Sequence, residues 1–268
     1  MSNVNHQEVS LGVLVASCDK YSDTWKPLFD LFFRHWPDCP YPVYLIANQK
    51  TCDDRRVTTL LAGEDRDWSS TVAAAVSKFP HSHVLFWIDD AFPVAPVESS
   101  RVQALFKRFV REGFSFLRLR PNPRPGAWLD HEIGELGRDA AYRVSLFATI
   151  WRVTALQQVL RCGESAWQFE LQGTERSKAL PGFYCTRRKV FRYLHGIEKG
   201  VWSRPAAHTL QRLGYRIDRT QRPVMNIPQE LWRRYRLMKN FIFHLIPEAH
   251  RGKALTSVQR AYRALHLR

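Results

Sequence analysis

The sequence has no apolar stretch approaching the roughly 18 residues that a membrane-spanning helix needs, which predicts a chain without such a helix. Its first residues are polar and lack the charged, apolar and small-residue order of a secretory signal, so a cytoplasmic protein is expected. Hydrophobic residues at 45% and aromatic residues at 13% exclude an intrinsically disordered chain. A length of 268 residues favours one α/β domain with an appendage.

Cysteine pairs and acidic residues are both scarce. The five cysteines form no Cys-x-x-Cys pair, and an odd number in a chain of this length favours reduced, structural thiols. Only 25 Asp and Glu residues stand against 40 Lys and Arg, which gives a formal net charge of +15. This excess predicts an anionic partner: nucleic acid, a phosphorylated small molecule or an anionic membrane surface.

Short apolar runs alternate with helical patterns through the first part of the chain. Runs typical of buried strands lie at 11–16, 43–47 and 84–88. An apolar stripe with helical spacing follows the first run, with Asp23 or Thr24 as its predicted cap, and a second capped helix is predicted over 67–77. This alternation is typical of a mostly parallel, doubly wound α/β sheet flanked by helices, in which ligands bind beyond the carboxyl ends of the strands.

Further along, the patterns are weaker. Helices are predicted over 101–112 and 153–160, and strands over 114–119 and 142–147. Residues 121–137 are rich in Pro and Gly and predict a loop without regular structure, long enough to cover a substrate. Ser165 and Gln168 fit a capping box, so another helix is expected to begin there.

The end of the chain has a different character, which divides the protein into a main domain of residues 1–228 and a basic helical tail of residues 229–268. One helix face of the tail carries Leu231, Tyr235, Met238, Ile242 and Leu245. Arg and Lys residues border that stripe. Two arrangements remain open: the stripe lies on an anionic bilayer, or it packs back onto the main domain.

Two adjacent carboxylates, Asp89 and Asp90, directly follow the strongest strand pattern. Like charges this close resist ionising together unless a cation lies between them. Mg²⁺ or Mn²⁺ held by such carboxylates and by substrate phosphates is the usual arrangement for a nucleoside-diphosphate ligand. The alternative is a solvated turn after a strand, where Asp is common.

Several short motifs, in this order, resemble bacterial GT-A-type glycosyltransferases of surface-polysaccharide (lipopolysaccharide or capsule) assembly. Those that carry most of the resemblance, which spans about residues 11–205, are Ser-Cys-Asp-Lys-Tyr at 17–21, Trp-Ile-Asp-Asp-Ala-Phe at 87–92 and Gly-Glu-Ser-Ala-Trp-Gln-Phe-Glu at 163–170. The resemblance implies a GT-A-like main domain that transfers a sugar, with inversion, from a nucleotide-diphosphate donor to a glycan or lipid-linked acceptor. The family's acidic motif is often Asp-x-Asp, whereas here Ala91 stands at the third position.

The resemblance also implies roles at the donor site. Asp90 would bind the metal ion, with His195 or His208 as a later ligand, and Asp89 would bind the donor ribose or sugar. Ser17 and Asp19 would bind the base or ribose, and Asp67 with Trp68 would close over the nucleotide. For the last four residues, ordinary turn and core roles remain open. A basic stretch (Arg187, Arg188, Lys189, Arg192 and Lys199) either neutralises the diphosphate or forms a solvated face.

Inverting transfer requires a carboxylate that takes the proton of the acceptor hydroxyl. Glu170, in the first turns of the helix after the capping box, is the first candidate, since the resemblance favours an acid-terminated, Trp-containing motif. Glu164, just before the cap, is the second. Alternatively, either residue is a surface carboxylate that favours a helix N-terminus through the helix dipole.

Two other functions fit parts of the sequence. A sugar-phosphate nucleotidyltransferase shares the sheet and the acidic metal ligands, but the Gly-rich first loop that such enzymes use is missing at 17–21. A basic nucleic-acid-binding protein would explain the charge, yet no binding motif is present, so no nucleic acid partner is expected.

Overall fold

The computed structural model describes residues 9–245, with side chains described from 9 to 239. The helices are α1 (Ser22–His35), α2 (Trp68–Ser77), α3 (Ser99–Arg111), α4 (Val153–Val159), α5 (Ala166–Ser177), α6 (Arg204–Arg212) and α7 (Ile227–Leu245). The strands are β1 (Leu11–Ala16), β2 (Val43–Ala47), β3 (Val57–Leu61), β4 (His83–Ile88), β5 (Ala91–Pro93), β6 (Phe116–Arg118), β7 (Ala127–Trp128), β8 (Ile133–Glu135), β9 (Thr149–Arg152), β10 (Phe183–Thr186), β11 (Tyr193–His195), β12 (Ile197–Glu198) and β13 (Val201–Trp202).

Nine strands form one mixed sheet in the order β3-β2-β1-β4-β9-β6-β10-β8-β7. β8 and β9 run opposite to the other strands, so the sheet is mostly parallel. The predicted α/β fold, a mostly parallel sheet flanked by helices, is confirmed. In the central pair, β1 and β4 are in register with Ala16 opposite Ile88, which brings the residues after these strands side by side.

Helices cover both faces of the sheet and create two cores. On one face, α1, α3 and α6 pack against the sheet around Trp87, which contacts Phe32 of α1 and Phe147. On the other face, α2, α4 and α5 pack around Phe86 and Trp151. Strands buried on both sides explain why β1, β2 and β4 are continuous apolar runs rather than alternating ones.

The strand predicted over 142–147 is wrong, because the regular strand in this region is β9, at 149–152. Tyr142 and Ala148 both have φ values of 52°, in the left-handed region that interrupts an extended chain. Between them, the buried guanidinium of Arg143 donates hydrogen bonds to the carbonyl oxygens of Leu136 and Leu180. These contacts, of which the one to Leu180 is between distant parts of the chain, hold the segment in an irregular path.

Two further predictions need correction. The 121–137 segment is not without regular structure: it contains β7 and β8, which extend the sheet beyond β10. Helix α1 begins at Ser22 and has no side-chain cap, so Asp23 and Thr24 do not cap it. The Asp23 carboxylate instead binds the guanidinium of Arg222.

The predicted tail begins within α7, and residues 246–268 lie outside the described residues, as do the side chains of Ile242 and Leu245. Among the helices of residues 9–245, none has the length and apolar character needed to cross a bilayer. The division of the chain into a main domain of residues 1–228 and a tail of residues 229–268 stays a prediction.

Candidate functional site

A cleft of about 330 Å³ opens beyond the carboxyl ends of β1 and β4. It brings together five of the predicted site residues, which are Ser17, Trp68, Asp89, Asp90 and His195. Four others, Asp19, Asp67, Glu164 and Glu170, are not in its lining. The cleft is therefore at the edge of the sheet where parallel-strand proteins bind their ligands.

The two adjacent aspartates are held in a fixed geometry at the end of β4. Each of them is only 8% exposed. The Ser17 hydroxyl donates to Oδ2 of Asp89 over 2.5 Å, and Nε1 of Trp25 donates to the Ser17 oxygen over 2.7 Å. Since Ser17 follows β1 and Asp89 follows β4, the register of these strands creates the contact. Asp89 is thus oriented before any ligand binds.

His195 reaches the acidic pair through a separate, two-stranded sheet. Strand β5 begins directly after Asp90 and pairs antiparallel with β11, which places His195 opposite Ala91. Nδ1 of His195 is 3.5 Å from Oδ2 of Asp90. The next residue, Gly196, donates from its amide to the Asp90 carbonyl oxygen at 2.6 Å. A Cβ at Gly196 would be 2.3 Å from the Phe92 ring, so this close approach requires glycine.

Burial makes the acidic pair costly to ionise. It raises the pKa of Asp89 well above its ordinary value, and the neighbouring Asp90 charge raises it further. Burial also raises the pKa of Asp90, and proximity to His195 offsets part of that rise. A cation bound between the carboxylates would remove this penalty.

The residues at this site suit a divalent metal ion whose coordination is completed by phosphate groups of a bound substrate. Within residues 9–245, no three His, Cys, Asp or Glu side chains form a ready-made metal cage. Carboxylates are nevertheless the donors that Mg²⁺ and Mn²⁺ prefer, with water and substrate phosphates as the remaining ligands, and the His195 imidazole lies beside them. The donor set therefore fits a metal shared with a phosphorylated ligand better than a permanent structural metal.

Asp19 joins the ends of two strands. Its Oδ1 accepts hydrogen bonds from the amides of Asn48, at 2.9 Å, and Gln49, at 3.2 Å, and from that of Lys50 as well. In return, the Asn48 side chain accepts from the Asp19 amide at 3.2 Å. The carboxylate thus fixes the loop that follows β2 against the loop that follows β1.

Asp67 caps helix α2, as predicted for this position. Its carboxylate accepts from the Ser70 amide at 2.8 Å and from the Gly163 amide at 3.0 Å. Burial acts to raise the pKa of Asp67, but hydrogen bonds from Ser70, Ser69 and Gly163 outweigh it and lower the pKa to about 2. One side chain therefore ties the start of α2 to the segment that leads into α5.

Trp68 is the aromatic wall of the cleft. It begins α2, contacts the rings of Phe86 and Phe169 at centroid distances of 6.2 and 5.2 Å, and also lines the cleft. The two alternatives predicted for it, a core anchor and a ligand contact, are therefore compatible. Its position is fixed by the Asp67 cap beside it.

The two predicted catalytic glutamates have different surroundings. Glu164 forms a two-point ion pair with Arg176, with distances of 2.7 and 2.6 Å. Glu170 accepts from the amide of Leu146 at 3.0 Å, and Leu146 itself lines the cleft. The Ser145 hydroxyl also binds Glu170 and accepts from Arg120 at 2.7 Å. Glu170 thus lies directly behind the cleft wall.

Burial raises the pKa of Glu170, although the Leu146 amide and the nearby Arg120 partly oppose the rise. A carboxylate with a raised pKa is a stronger base once it is ionised. Both oxygens of Glu164, by contrast, are already engaged by Arg176. Glu170 therefore remains the first candidate base, from a position behind the cleft wall rather than in its lining.

Arg222, which the sequence patterns did not reveal, is an arginine whose positive charge acts on both aspartates. Its guanidinium binds Asp23 through two hydrogen bonds, donates to the Lys20 carbonyl oxygen at 2.9 Å and lies over the Tyr21 ring. Its charge opposes the raised pKa of Asp89. None of the residues of the predicted basic stretch lines the cleft, and His208 lines a different cavity.

Cys18 and Tyr21, from the motif at 17–21, also line the cleft, as do Asp65 and Thr71, which no sequence pattern indicated. Thr71 on α2 is only 5% exposed, and its hydroxyl has no hydrogen-bond partner among the described residues. A buried hydroxyl without a partner is costly, and a ligand in the cleft would supply one. No local pattern could identify it, because the cleft is formed by strands and helices distant in sequence.

We expect Thr71→Val to weaken ligand binding in the cleft by about tenfold, since valine has the same shape but cannot form the hydrogen bond. The folded protein should retain its thermal stability, because no internal hydrogen bond of the described residues is lost. Calorimetric titration with nucleoside diphosphates measures the first effect and thermal melting the second. Unchanged affinity would show that the ligand does not contact this hydroxyl.

Comparison with known proteins gives distant structural similarity only. No protein-family model matches the chain, and no curated protein matches it. Fragment 1–349 of S. aureus TarS is similar with a TM-score of 0.45 and 12% identity over 66% of this chain and 60% of the fragment; that fragment also has a structure with UDP-GlcNAc. A mutant of Drosophila β-1,4-galactosyltransferase 7, in complex with manganese, UDP-Gal and xylobiose, has a TM-score of 0.34 and 11% identity over 70% of this chain and 71% of that one. This chain thus matches about three fifths of the TarS fragment.

Proposed function

We propose that this protein is a GT-A-type glycosyltransferase that transfers a sugar, with inversion, from a nucleotide-diphosphate donor to a glycan or lipid-linked acceptor in bacterial surface-polysaccharide assembly. The observation that carries the proposal is the buried Asp89-Asp90 pair at the end of β4, with His195 beside it, in a cleft that Ser17 and Trp68 also line. This arrangement suits a ligand that brings both negative phosphates and a cation.

On the donor side, Asp90 and His195 would hold a Mg²⁺ or Mn²⁺ ion, which when bound would stabilise the negative charge of the departing diphosphate. Asp89, already oriented by Ser17, would accept hydrogen bonds from the donor ribose or sugar. Trp68 would pack on the nucleotide. Asp19 and Asp67 would act indirectly: Asp19 fixes the loop that carries Ser17, and Asp67 fixes the start of α2, which carries Trp68.

On the acceptor side, Glu170 would take the proton of the acceptor hydroxyl. The acceptor oxygen bonds to the anomeric carbon of the donor sugar as the bond between that carbon and the diphosphate oxygen breaks. The nucleoside diphosphate then leaves with the electron pair of that bond. Trp167, 63% exposed and next to Ala166 of the cleft lining, offers an aromatic face for an acceptor sugar. An acceptor carried on a lipid would place the reaction at the cytoplasmic face of the membrane.

The test is incubation of the full chain with a panel of nucleotide sugars, Mn²⁺ and a set of glycan acceptors, followed by analysis of the nucleotide product. We expect release of a nucleoside diphosphate, because a glycosyltransferase breaks the bond between the sugar and the diphosphate. A sugar-phosphate nucleotidyltransferase, run in its reverse direction, would instead consume pyrophosphate and form a nucleoside triphosphate. NMR of the glycoside product would show whether the anomeric configuration inverts.

Either a pyrophosphate requirement or the lack of any cleavage across the panel would argue against the proposal. A double variant, Asp89→Asn with Asp90→Asn, is the control for contaminating hydrolases, because it keeps the shape of the cleft. The variant should bind neither the donor nor Mn²⁺. Activity that survives in it arises elsewhere.

A further inference from the structure

Helix α7 presents an apolar face that the described part of the chain leaves exposed. Its side chains Ile227, Leu231, Trp232, Tyr235 and Met238 are 62%, 60%, 61%, 49% and 55% exposed. Each residue of a helix turns by about 100°, so Ile227, Leu231, Tyr235 and Met238 fall within one side of the helix. Of the predicted stripe, the described side chains Leu231, Tyr235 and Met238 do not pack back onto the described part of the main domain.

The helix is attached to the domain by its opposite, polar side. Glu230 is 4% exposed and forms ion pairs with Arg233 and Arg234. Glu198, from β12, pairs with Arg233 and Arg236. The Glu230 carboxylate also accepts from the Arg204 amide, which fixes the start of α7 against α6. The pairs of Glu230 with Arg233 and Arg234 lie within α7, whereas the contacts with Glu198 and Arg204 hold the helix to the domain so that its apolar side is turned outward.

Positively charged side chains border the outward side of α7, and the acidic side chain of the described part of the helix does not lie on that side. Arg234 and Lys239 are exposed and lie on either side of the apolar stripe. The acidic residue of the described part of α7, Glu230, is buried on the other side. Any partner of this face therefore meets apolar side chains between positive charges. Such a surface is complementary to a partner that is apolar and carries negative charge.

We propose that the outward face of α7 binds the surface of an anionic lipid bilayer, with the helix in the plane of the interface. An apolar stripe between cations is the arrangement of interfacial helices. Trp232 and Tyr235 are stacked at a centroid distance of 5.3 Å, and these residue types favour the boundary between headgroups and acyl chains. A second copy of the chain is disfavoured, because each copy carries +15 and the faces would bring like charges together.

This inference does not depend on sugar transfer, and its test uses vesicles alone. The full chain is sedimented with vesicles of phosphatidylcholine or of phosphatidylcholine mixed with phosphatidylglycerol. We expect binding to the mixed vesicles that falls as salt is added. The double variant Leu231→Ser with Met238→Ser should bind about tenfold more weakly or worse, since it removes two exposed apolar side chains that the bilayer would bury. Arg234→Glu with Lys239→Glu should abolish the preference for anionic lipid.

Matched controls replace residues of the same types elsewhere on the surface. Leu61→Ser, on β3, and Lys107→Glu, on α3, are both exposed and should leave vesicle binding unchanged. The proposal is overturned if the full chain does not sediment with the mixed vesicles, or if the α7 variants bind as well as the controls. It is also overturned if sedimentation equilibrium shows a dimer that the Leu231→Ser and Met238→Ser variant abolishes. The variants should retain the melting temperature, because the replaced side chains are exposed.

Discussion

Asp90→Asn is expected to lower sugar transfer by at least about a hundredfold and to remove tight Mn²⁺ binding. Asparagine keeps the size of the side chain and one carbonyl oxygen, but it removes the charge that pairs with a divalent ion. Loss of several kcal/mol of charge stabilisation corresponds to about two or more factors of ten in rate. Paramagnetic resonance of free Mn²⁺ measures binding without reference to turnover.

The variant should fold, because burial raises the pKa of Asp90 and the charged form is therefore less favourable in the folded protein than in the unfolded chain. The stability that this group contributes is present at low pH and is lost as the pH rises through its folded-state pKa. Neutral asparagine should thus cost little at pH 7. Asp38→Asn, at an exposed carboxylate, is the matched control. Full activity of Asp90→Asn, or full activity in a chelator, would remove the metal from the mechanism.

Short sequence patterns were sufficient to predict the buried strands and the helix caps. The continuous apolar runs predicted β1, β2 and β4, because these strands are covered by helices on both faces. Caps at Asp67 and Ser165 were predicted from short motifs and are present with the expected hydrogen bonds. The position of Asp89 and Asp90 beyond a central strand followed from the same reasoning.

Contacts between distant segments could not be derived in this way. His195 lies near Asp90 because β11 pairs with β5, and both strands have only three residues, too few to show a pattern. Arg222 reaches Asp23 from a loop close to α7, and no local signal marks that pairing. The misplaced strand at 142–147 has the same origin, since the bond of Arg143 to the distant Leu180 carbonyl group overrides the local preference.

Glu170→Gln is expected to lower turnover by about a hundredfold or more while donor affinity is kept. Glutamine retains an oxygen that can accept from the Leu146 amide, so the wall of the cleft should keep its shape. It cannot take a proton from the acceptor hydroxyl. Single-turnover rates and calorimetric titration with the donor separate the chemical step from binding.

The pH profile adds a second, independent readout. A general base acts only when it is deprotonated, so activity should fall on the acid side at the pKa of Glu170, which burial holds above the ordinary value for glutamate. This acid limb should disappear from the residual activity of Glu170→Gln. The matched control is Glu164→Gln, which should lower the melting temperature because Arg176 loses its ion-pair partner, but should keep the acid limb. If Glu164→Gln alone removes that limb, Glu164 is the base.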